Sequence, residues 1–268
     1  MNQIKKVAVI IPFYKDSLTA NEEISLLQCK KVLANYPIIA IKPNHLSLPV
    51  FSQKLQFTET INFDDKYFKS INGYNALLVS EDFYGRFLGY EYILIYQTDA
   101  FVFSDELNYW CNTGYDYIGA PWLQMKKYGK VKSFFYNYLY KIYFYLNIKK
   151  LGLPNSKQFT NKIGNGGFSL RKVSTFFILS KRFKHKAEKY FINGECFLNE
   201  DVFWCIELTR RKKYLKIPNL KTGLLFALEN RPEIGINRNN GKLPFGCHAW
   251  ENYLDFWRTI FKELGYEI

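Results

Sequence analysis

The stretch YILIYQTDAFVF, residues 92–103, is an apolar run that three polar residues interrupt at its centre. Its first part is rich in β-branched and aromatic residues, which is typical of a strand that is buried on both faces. Gln97, Thr98 and Asp99 follow at the point where this strand is predicted to run out. A carboxylate in so apolar a segment costs free energy unless something pairs with it, so Asp99 is the first candidate binding residue.

Predicted strands and helices alternate along the chain on both sides of this stretch. The alternation predicts right-handed crossovers and an α/β fold with a mainly parallel central sheet flanked by helices. In such sheets ligands bind beyond the carboxyl ends of the strands, where Asp99 would project. The predicted elements are strands at Val7–Ile11, Pro37–Pro43, Tyr92–Phe103 and Tyr115–Trp122, a strand after the Gly-rich turn of Ile163–Val173, and helices at Asn21–Leu33, Asn72–Phe87, Leu198–Leu208 and Asn252–Leu264.

The chain of 268 residues carries a net charge of +13, from 37 Lys and Arg against 24 Asp and Glu. So basic a chain favours anionic partners, among them phosphates, acidic glycans, anionic membrane and nucleic acid. Its five cysteines are scattered without a CxxC pair, which argues against a zinc ribbon or a disulfide framework and fits a reducing cytosol. The apolar run Val7–Ile11 is too short for a signal peptide, and no stretch reaches the roughly 18 apolar residues of a spanning helix. We therefore expect a cytoplasmic protein.

The composition changes over residues 123–158, where lysines alternate with aromatic and aliphatic residues in MKKYGKVKSFFYNYLYKIYFYLNIKK, residues 125–150. This basic aromatic insertion has two interpretations. It could lie against the inner face of the membrane as a peripheral element, with aromatic side chains in the interface and lysines against anionic lipid. It could instead pack on the domain and cover an acceptor cleft, but the membrane interpretation is the one that we expect.

Outside the insertion, the motifs follow one another in a specific order. They are VAVIIPFY (7–14), YILIYQTDAFVF (92–103) followed by YDYIGAPW (115–122), GNGGFSLR (164–171), NEDVFW (199–204) and PFGCHAW (244–250). In this order and spacing the chain resembles a GT-A-type glycosyltransferase, and more narrowly an uncharacterised, domain-of-unknown-function family within that fold. The resemblance implies one GT-A-like (Rossmann-like) domain over residues 1–268, a nucleotide-sugar donor, a divalent metal (Mn²⁺ or Mg²⁺), and transfer of a sugar to a hydroxyl acceptor. A glycan or glycolipid of surface polysaccharide synthesis is the acceptor class that we expect.

The metal prediction depends on Asp99 and His248. GT-A enzymes usually carry Asp-x-Asp at a strand end, and the second Asp binds the metal. Asp99 matches that second position, while Gln97 replaces the first, so the site loses one negative charge but keeps an amide that can bond a hydroxyl of the donor. The resemblance also implies His248 as a metal ligand. Without a metal, Asp99 would cap the turn after the strand and His248 would be a packing residue beside Trp250.

The motif NEDVFW supplies the predicted catalytic residues, Glu200 and Asp201. The motif predicts the start of a helix with Asn199 as the N-cap. Without a catalytic role, acidic residues in this first turn would only complement the helix dipole. An inverting transferase, however, needs a carboxylate to take the proton of the acceptor hydroxyl. The resemblance implies that the acidic pair does so, with Asp201 as the preferred base. In a retaining enzyme the pair would only contact the acceptor.

The resemblance implies donor contacts at Tyr74 and Asn75, near which related enzymes hold ribose or pyrophosphate. Besides Gln97, further donor contacts are predicted in the Gly-rich turn and at the end of the first strand, although aromatic residues at a strand end are usually part of the core. The Gly-rich turn lacks the Lys-Ser/Thr of a Walker motif, and Asn-Gly could make it no more than a tight turn. As a functional loop, its glycines would let the backbone approach sugar or phosphate closely. The predicted donor-binding residues are Pro12, Phe13, Tyr14, Tyr74, Asn75, Gln97, Asn165, Gly166 and Gly167.

Two other classes of function compete with the transferase. A nucleic-acid binder would use the charge and the aromatic residues, but no RNA-binding signature is present, and we predict no nucleic-acid partner. A non-catalytic glycan- or nucleotide-sugar-binding protein on a decayed transferase fold is the stronger alternative, because Gln97 already departs from Asp-x-Asp. A metal-dependent glycosyltransferase is the prediction.

Overall fold

The computed structural model describes residues 3–124, 129–150, 153–191 and 199–268. Residues 125–128 and 151–152 of the predicted insertion, and Leu198 at the predicted start of the NEDVFW helix, lie outside the described residues. The strands are β1 (Lys5–Pro12), β2 (Ile38–Pro43), β3 (Glu59–Phe63), β4 (Tyr90–Tyr96), β5 (Phe101–Val102), β6 (Tyr117–Ile118), β7 (Lys149–Lys150), β8 (Leu153–Pro154), β9 (Phe168–Lys172), β10 (Ala227–Leu228) and β11 (Gly246–Cys247). The α-helices are α1 (Ala20–Leu33), α2 (Ile71–Leu78), α3 (Glu81–Gly85), α4 (Leu107–Asn112), α5 (Lys130–Tyr145), α6 (Val173–Arg182), α7 (Lys184–Phe191), α8 (Glu200–Val202), α9 (Leu220–Phe226), α10 (Pro232–Arg238) and α11 (Leu254–Glu263).

Within the described ranges, six strands form a central sheet in the order β3-β2-β1-β4-β9-β6. The strands β3, β2, β1 and β4 pair in parallel, while β9 is antiparallel to both of its neighbours, β4 and β6. The predicted α/β fold with a mainly parallel sheet is confirmed. The edge strand β3 was not predicted, because its sequence ETINF exposes three of its five side chains and carries little apolar signal.

Both faces of the sheet are covered, which explains the continuous apolar runs in its strands. In β1 and β4, Ile10 and Ile93 point to one buried cluster, while Val9 and Leu94 point to the other. Side chains that alternate between two dry faces must all be apolar. The sequences of β1 and β4 therefore show no alternation of apolar and polar residues, although successive side chains still point to opposite faces.

Strand β4 ends at Tyr96, where the strand was predicted to run out, but residues 97–103 do not continue it. The backbone turns at Gln97, whose carbonyl accepts a bond of 2.9 Å from the amide of Ala100. Phe101 then enters a second, three-stranded sheet in the order β10-β11-β5. In that sheet β11 runs antiparallel to β5, with Cys247 opposite Phe101. The polar interruption in the apolar run is the connection between two sheets.

Two predicted helices are built differently in the structure. The helix expected over Asn72–Phe87 is two helices, because the hydroxyl of Ser80 accepts a bond of 3.1 Å from the amide of Phe83 and starts α3 anew. The helix expected over Asn252–Leu264 begins as a 3₁₀ turn at Trp250 and becomes α-helical only from Leu254.

The helix predicted over Leu198–Leu208 is short and irregular. Its α-helical part, α8, covers three residues and continues as a π-helix over Phe203–Glu207, a form that is frequent at functional sites. Asn199 is the N-cap residue, as predicted, but its side chain makes no capping bond. Asn75 of α2 takes that role, because its Oδ1 accepts a bond of 3.0 Å from the amide of Glu200.

The predicted insertion contributes the helix α5 and the β7–β8 hairpin. Phe144, near the end of α5, is buried against Val202 and Ile206. This contact joins the insertion to the helix that carries the acidic pair. Among the described residues, no helix is both long and apolar enough to cross a membrane.

Candidate functional site

A cavity of about 620 Å³ opens at the carboxyl edge of the parallel strands. The ends of β1 and β4 meet there with the segment that leads into β9, because the antiparallel β9 begins at the edge where β4 ends. The cavity is lined by every predicted site residue except Phe13. They are Pro12, Tyr14, Tyr74, Asn75, Gln97, Asp99, Asn165, Gly166, Gly167, Glu200, Asp201 and His248.

Phe13 is a correction to the predicted donor contacts. Its side chain is 1% exposed and packs edge-on against Phe57, with 5.7 Å between the ring centroids. Side chains alternate across a strand end, so Tyr14 faces the cavity while Phe13 points into the core beneath it. Tyr14 is 58% exposed.

His248 lies against Asp99 because of the pairing between β5 and β11. Cys247 is opposite Phe101, so the antiparallel register carries His248 back along the turn that precedes β5. The Nε2 atom of His248 lies 3.1 Å from Asp99 Oδ1 and 3.0 Å from Gln97 Oε1. Burial by itself would raise the pKa of Asp99, but the charge of His248 lowers it below its usual value.

Glu229 stands behind His248, and the sequence offered no signal for it. Its Oε2 atom lies 3.2 Å from His248 Nδ1, and neither atom has a hydrogen-bond partner among the described residues. Burial would lower the pKa of His248, but Glu229 and Asp99 together raise it to about 10. The imidazole therefore lies between two carboxylates, one on each ring nitrogen.

The glycines of GNGGF make room for the site's own side chains. A Cβ on Gly167 would lie 2.0 Å from His248 Nε2, and a Cβ on Gly166 would lie 2.3 Å from Glu200 Oε1. Asn165 has a φ of 59°, in the left-handed region, but Gly166 and Gly167 do not, and the segment bends without a hydrogen-bonded turn. The glycines are thus required by close approach within the protein.

Glu200 is held by an arginine that the sequence analysis missed. Arg171 of β9 donates to it with both nitrogens of its fork, at 2.7 and 3.1 Å, and both side chains are buried. Burial raises the pKa of Glu200, and the guanidinium opposes that rise. A carboxylate bound in this way is not free to accept a proton, so the geometry favours Asp201 as the base of the acidic pair.

Asp201 is a buried carboxyl that forms no ion pair with any described residue. Its oxygens accept bonds from the backbone amides of Gly166, at 3.2 Å, and Val202, at 2.7 Å. Burial, then the negative charges of Glu200 and Glu229, raises the pKa of Asp201 to about 7. A group with such a pKa exchanges protons readily at neutral pH.

A second buried carboxylate, Glu22, fixes the turn that carries Asp99. Its oxygens accept bonds from Thr98 Oγ1 at 2.9 Å and from the amide of Thr19 at 2.8 Å, and Lys15 Nζ lies 2.7 Å away. Thr19 and Glu22 form a capping box at the start of α1. The Thr-x-x-Glu spacing predicts the capping box, but only the fold brings Thr98 to it.

Asp99 and His248 are the residues that could hold a divalent metal. Mn²⁺ accepts both carboxylate oxygen and imidazole nitrogen, and Glu229 would orient the imidazole from its other nitrogen. Within the described part of the chain, no group of three or more His, Cys, Asp or Glu side chains has the geometry of a complete metal site. The donor set of two fits a metal whose other ligands come from the diphosphate of a donor and from water.

The chain belongs to the family described as "Protein of unknown function (DUF5672)", whose sequence pattern matches residues 57–248. No curated protein matches it in sequence.

Among solved structures, the galactosyltransferase LgtC in complex with donor and acceptor sugar analogues superposes with a TM-score of 0.56 at 12% identity, over 96% of this chain and 94% of that one. An active-site mutant of LgtC gives 0.51 at 11% identity, over 90% and 86% of the two chains. Mouse xyloside xylosyltransferase 1 gives 0.49 at 9% identity, over 91% and 97%. The predicted GT-A fold is confirmed.

Replacing Arg171 with Met should leave Glu200 buried without its cation. We expect a loss of about 3–5 kcal/mol in the free energy of unfolding. The pKa of Glu200 would rise further, so its carboxyl would be neutral at low pH and the loss should be smaller at about pH 5 than at about pH 8. Urea denaturation at both pH values measures this. The control is Arg86→Met, which breaks an exposed pair with Asp82 and should cost less than about 1 kcal/mol.

Replacing Gly167 with Ala should displace the imidazole of His248. We expect affinity for Mn²⁺ in the presence of a nucleoside diphosphate to fall about 10–100-fold, the range seen when the support of a metal ligand is disturbed. Calorimetric titration measures this affinity. Gly89→Ala is the matched control, because a Cβ at that position meets no atom within 4 Å. Equal Mn²⁺ affinity in the two variants would contradict the assignment of His248.

Proposed function

We propose that this member of the DUF5672 family is a glycosyltransferase, which moves a sugar from a nucleoside-diphosphate-sugar donor to a hydroxyl acceptor. The observation that carries the proposal is the meeting of Asp99, His248 and Asp201 in one cavity at the carboxyl edge of a GT-A sheet. These three side chains come from three separate segments of the chain, and they supply the groups that metal-assisted sugar transfer requires.

The donor would lie across the ends of β1 and β4. The amides of Gln97 and Asn165 line the cavity and can bond sugar or ribose hydroxyls. Tyr14 presents an exposed ring at the same edge, where it can stack on the base. Asn75 also lines the cavity, although one of its side-chain bonds already caps α8.

Asp99 and His248 would hold the divalent metal, which we propose to be Mn²⁺ or Mg²⁺. When bound, such an ion neutralises the charge that develops on the departing diphosphate. Glu229 fixes the imidazole plane from the far side, and Gly167 leaves the space that the ring occupies. Gln97, in the position of the first Asp of Asp-x-Asp, contributes an oxygen without a charge.

Asp201 would act as the general base. Its carboxylate takes the proton of the acceptor hydroxyl as that oxygen attacks C1 of the donor sugar. The bond between C1 and the diphosphate oxygen breaks, and the nucleoside diphosphate leaves with the electron pair. Arg171 holds Glu200 in place beside Asp201, and the charge of Glu200 helps to keep the pKa of Asp201 near neutrality after the effect of burial.

The acceptor that we propose is a hydroxyl of a glycan or glycolipid, in the synthesis of a surface polysaccharide. Such an enzyme would work in the cytoplasm and reach lipid-anchored acceptors at the inner face of the membrane. A non-catalytic sugar-binding protein is not favoured, because buried carboxyls with a raised pKa that line a cavity are concentrated at catalytic sites.

Calorimetric titration with a panel of nucleoside-diphosphate sugars, with and without Mn²⁺, tests the proposal directly. Metal-dependent binding of one donor, together with slow release of free sugar from it, is the expected result. Donor binding that is complete without metal and without any turnover would favour the non-catalytic alternative.

Replacing Asp99 with Asn should remove the Mn²⁺-dependent part of donor binding. The neutral amide is a weaker ligand, and we expect metal affinity to fall by at least about 100-fold with transfer abolished. Titration of the same donor with and without Mn²⁺ measures the effect, and circular dichroism checks the fold. Asp16→Asn serves as the control, since Asp16 is exposed and does not line the cavity. Unchanged donor affinity in the Asp99 variant would refute the metal assignment.

Replacing Asp201 with Asn should leave donor binding nearly intact while turnover falls about 10²–10⁴-fold, the usual contribution of general-base catalysis. In the wild type only the ionised carboxyl accepts a proton, so turnover should decline as pH falls below about 7. The variant should lose that pH dependence, which a rate profile from about pH 5 to pH 9 measures. Asp255→Asn, a change at a side chain that is 98% exposed, is the control. A variant with normal turnover would leave Asp201 as a structural residue.

A further inference from the structure

The helix α5 presents an apolar stripe to the outside of the molecule. Val131, Phe134, Phe135 and Tyr138 are between 61% and 85% exposed. Their spacing of three, four and seven residues puts them on one face of the helix. Soluble proteins seldom leave so many large apolar side chains together on one surface unless that surface binds something.

The far end of α5 is fixed to the catalytic region. Phe144 is buried against Val202, which directly follows Asp201, and against Ile206 of the π-helix that continues α8. The guanidinium of Arg210 donates to the carbonyl of Phe144 and to the side chain of Gln158. The stripe therefore belongs to an element that is anchored at its carboxyl end and free on one face.

A basic loop, residues 209–216 with the sequence TRRKKYLK, lies beside this anchored end. Arg211, Lys212 and Lys213 are exposed and form no ion pair with any described carboxylate. Arg210 differs, because it is buried and bound to Glu207 at 2.7 Å. The loop was not singled out from the sequence.

The basic loop and the helix end share one surface. Tyr145 from α5 and Arg211, Lys212 and Tyr214 from the loop together line two neighbouring cavities, of about 750 and 360 Å³. Lys141 on α5 and the hairpin lysines Lys149 and Lys150 are also exposed. Exposed cations that pair with no described carboxylate thus lie at the anchored end of the helix that carries the stripe.

We propose that the apolar stripe and the basic loop form one membrane-docking surface, whose partner is a bilayer that contains anionic lipid. An apolar stripe with exposed cations at the end of the same helix matches a partner with an apolar interior and a negatively charged surface. Aromatic side chains enter the interface and the basic loop faces the lipid phosphates. The biological role of this surface depends on the proposed function, because docking would bring α8 and Asp201 close to a lipid-anchored acceptor.

Co-sedimentation of the full chain with vesicles tests the surface. We expect binding to phosphatidylcholine vesicles that contain about one third phosphatidylglycerol, and weak binding to phosphatidylcholine alone. Salt should reduce the binding, because charges are screened within about 10 Å at 0.1 M and about 3 Å at 1 M. Equal binding to both lipid mixtures, or none to either, would overturn the proposal.

Two sets of substitutions separate the stripe from the basic loop. Phe134→Ser with Phe135→Ser and Tyr138→Ser should weaken vesicle binding at least about tenfold, since the inserted apolar surface is lost. Lys212→Ser with Lys213→Ser should weaken it about fivefold per charge and flatten its salt dependence. The matched controls remove exposed groups that lie away from this surface: Leu88, Tyr109 and Ile178 for the stripe, and Lys242 and Lys262 for the loop. Controls that lose as much binding as the test variants would contradict the assignment.

Two readouts separate failure of this surface from failure of the proposed function. Donor binding is measured without lipid, and it should be unchanged in both sets of variants because none of the substituted residues lines the donor cavity. Sedimentation velocity without lipid gives the oligomeric state. A dimer that the triple stripe variant converts to a monomer would show that a second copy of the chain covers the stripe, and would overturn the membrane proposal.

Discussion

The candidate site depends on one strand pairing, between β5 and β11. Because Cys247 lies opposite Phe101, His248 falls against the turn that carries Asp99, although the two segments are about a hundred and fifty residues apart. The turn exists because β4 leaves the central sheet at Tyr96 and the chain enters the smaller sheet at Phe101. A shift of the pairing by one residue would turn His248 away from Asp99 and remove both possible metal ligands from each other's reach.

Among the described residues around this pairing, buried acidic side chains outnumber buried cationic ones. The acidic side chains differ in how far their charges are compensated. Glu200 has a bidentate arginine and Glu22 has a lysine and two hydrogen-bond donors, so their charges are compensated. Glu229 is paired with the imidazole of His248. Within the described residues, Asp201 accepts bonds from backbone amides and forms no ion pair. A buried carboxyl without an ion pair costs stability, and such a cost is commonly found where a group must exchange a proton. Asp201 is accordingly the carboxyl to which we assign a proposed chemical role.

The helix α5 links the site to the outside of the molecule. It is anchored through Phe144 on the residues that follow Asp201, and its opposite face is apolar and exposed. The anchoring residue belongs to a segment that the sequence marked only by composition. Some side chains of α5 hold the helix to the domain and others face outward. Only the burial of each residue in the structure distinguishes the two groups.

The sequence by itself determined the class of fold and most of the residues that line the cavity. Continuous apolar runs mark strands buried on both faces, and polar residues at their ends mark the binding edge, so Gln97 and Asp99 were identified from local pattern. Tertiary structure decided the partners of those residues. Arg171 under Glu200, Asn75 as the cap of α8 and Glu229 behind His248 leave no local signal, because each contact joins elements that are distant in the chain or that only sheet register brings together. Local sequence specifies which element a residue occupies, whereas its charge state and chemical role depend on neighbours that only the folded chain supplies.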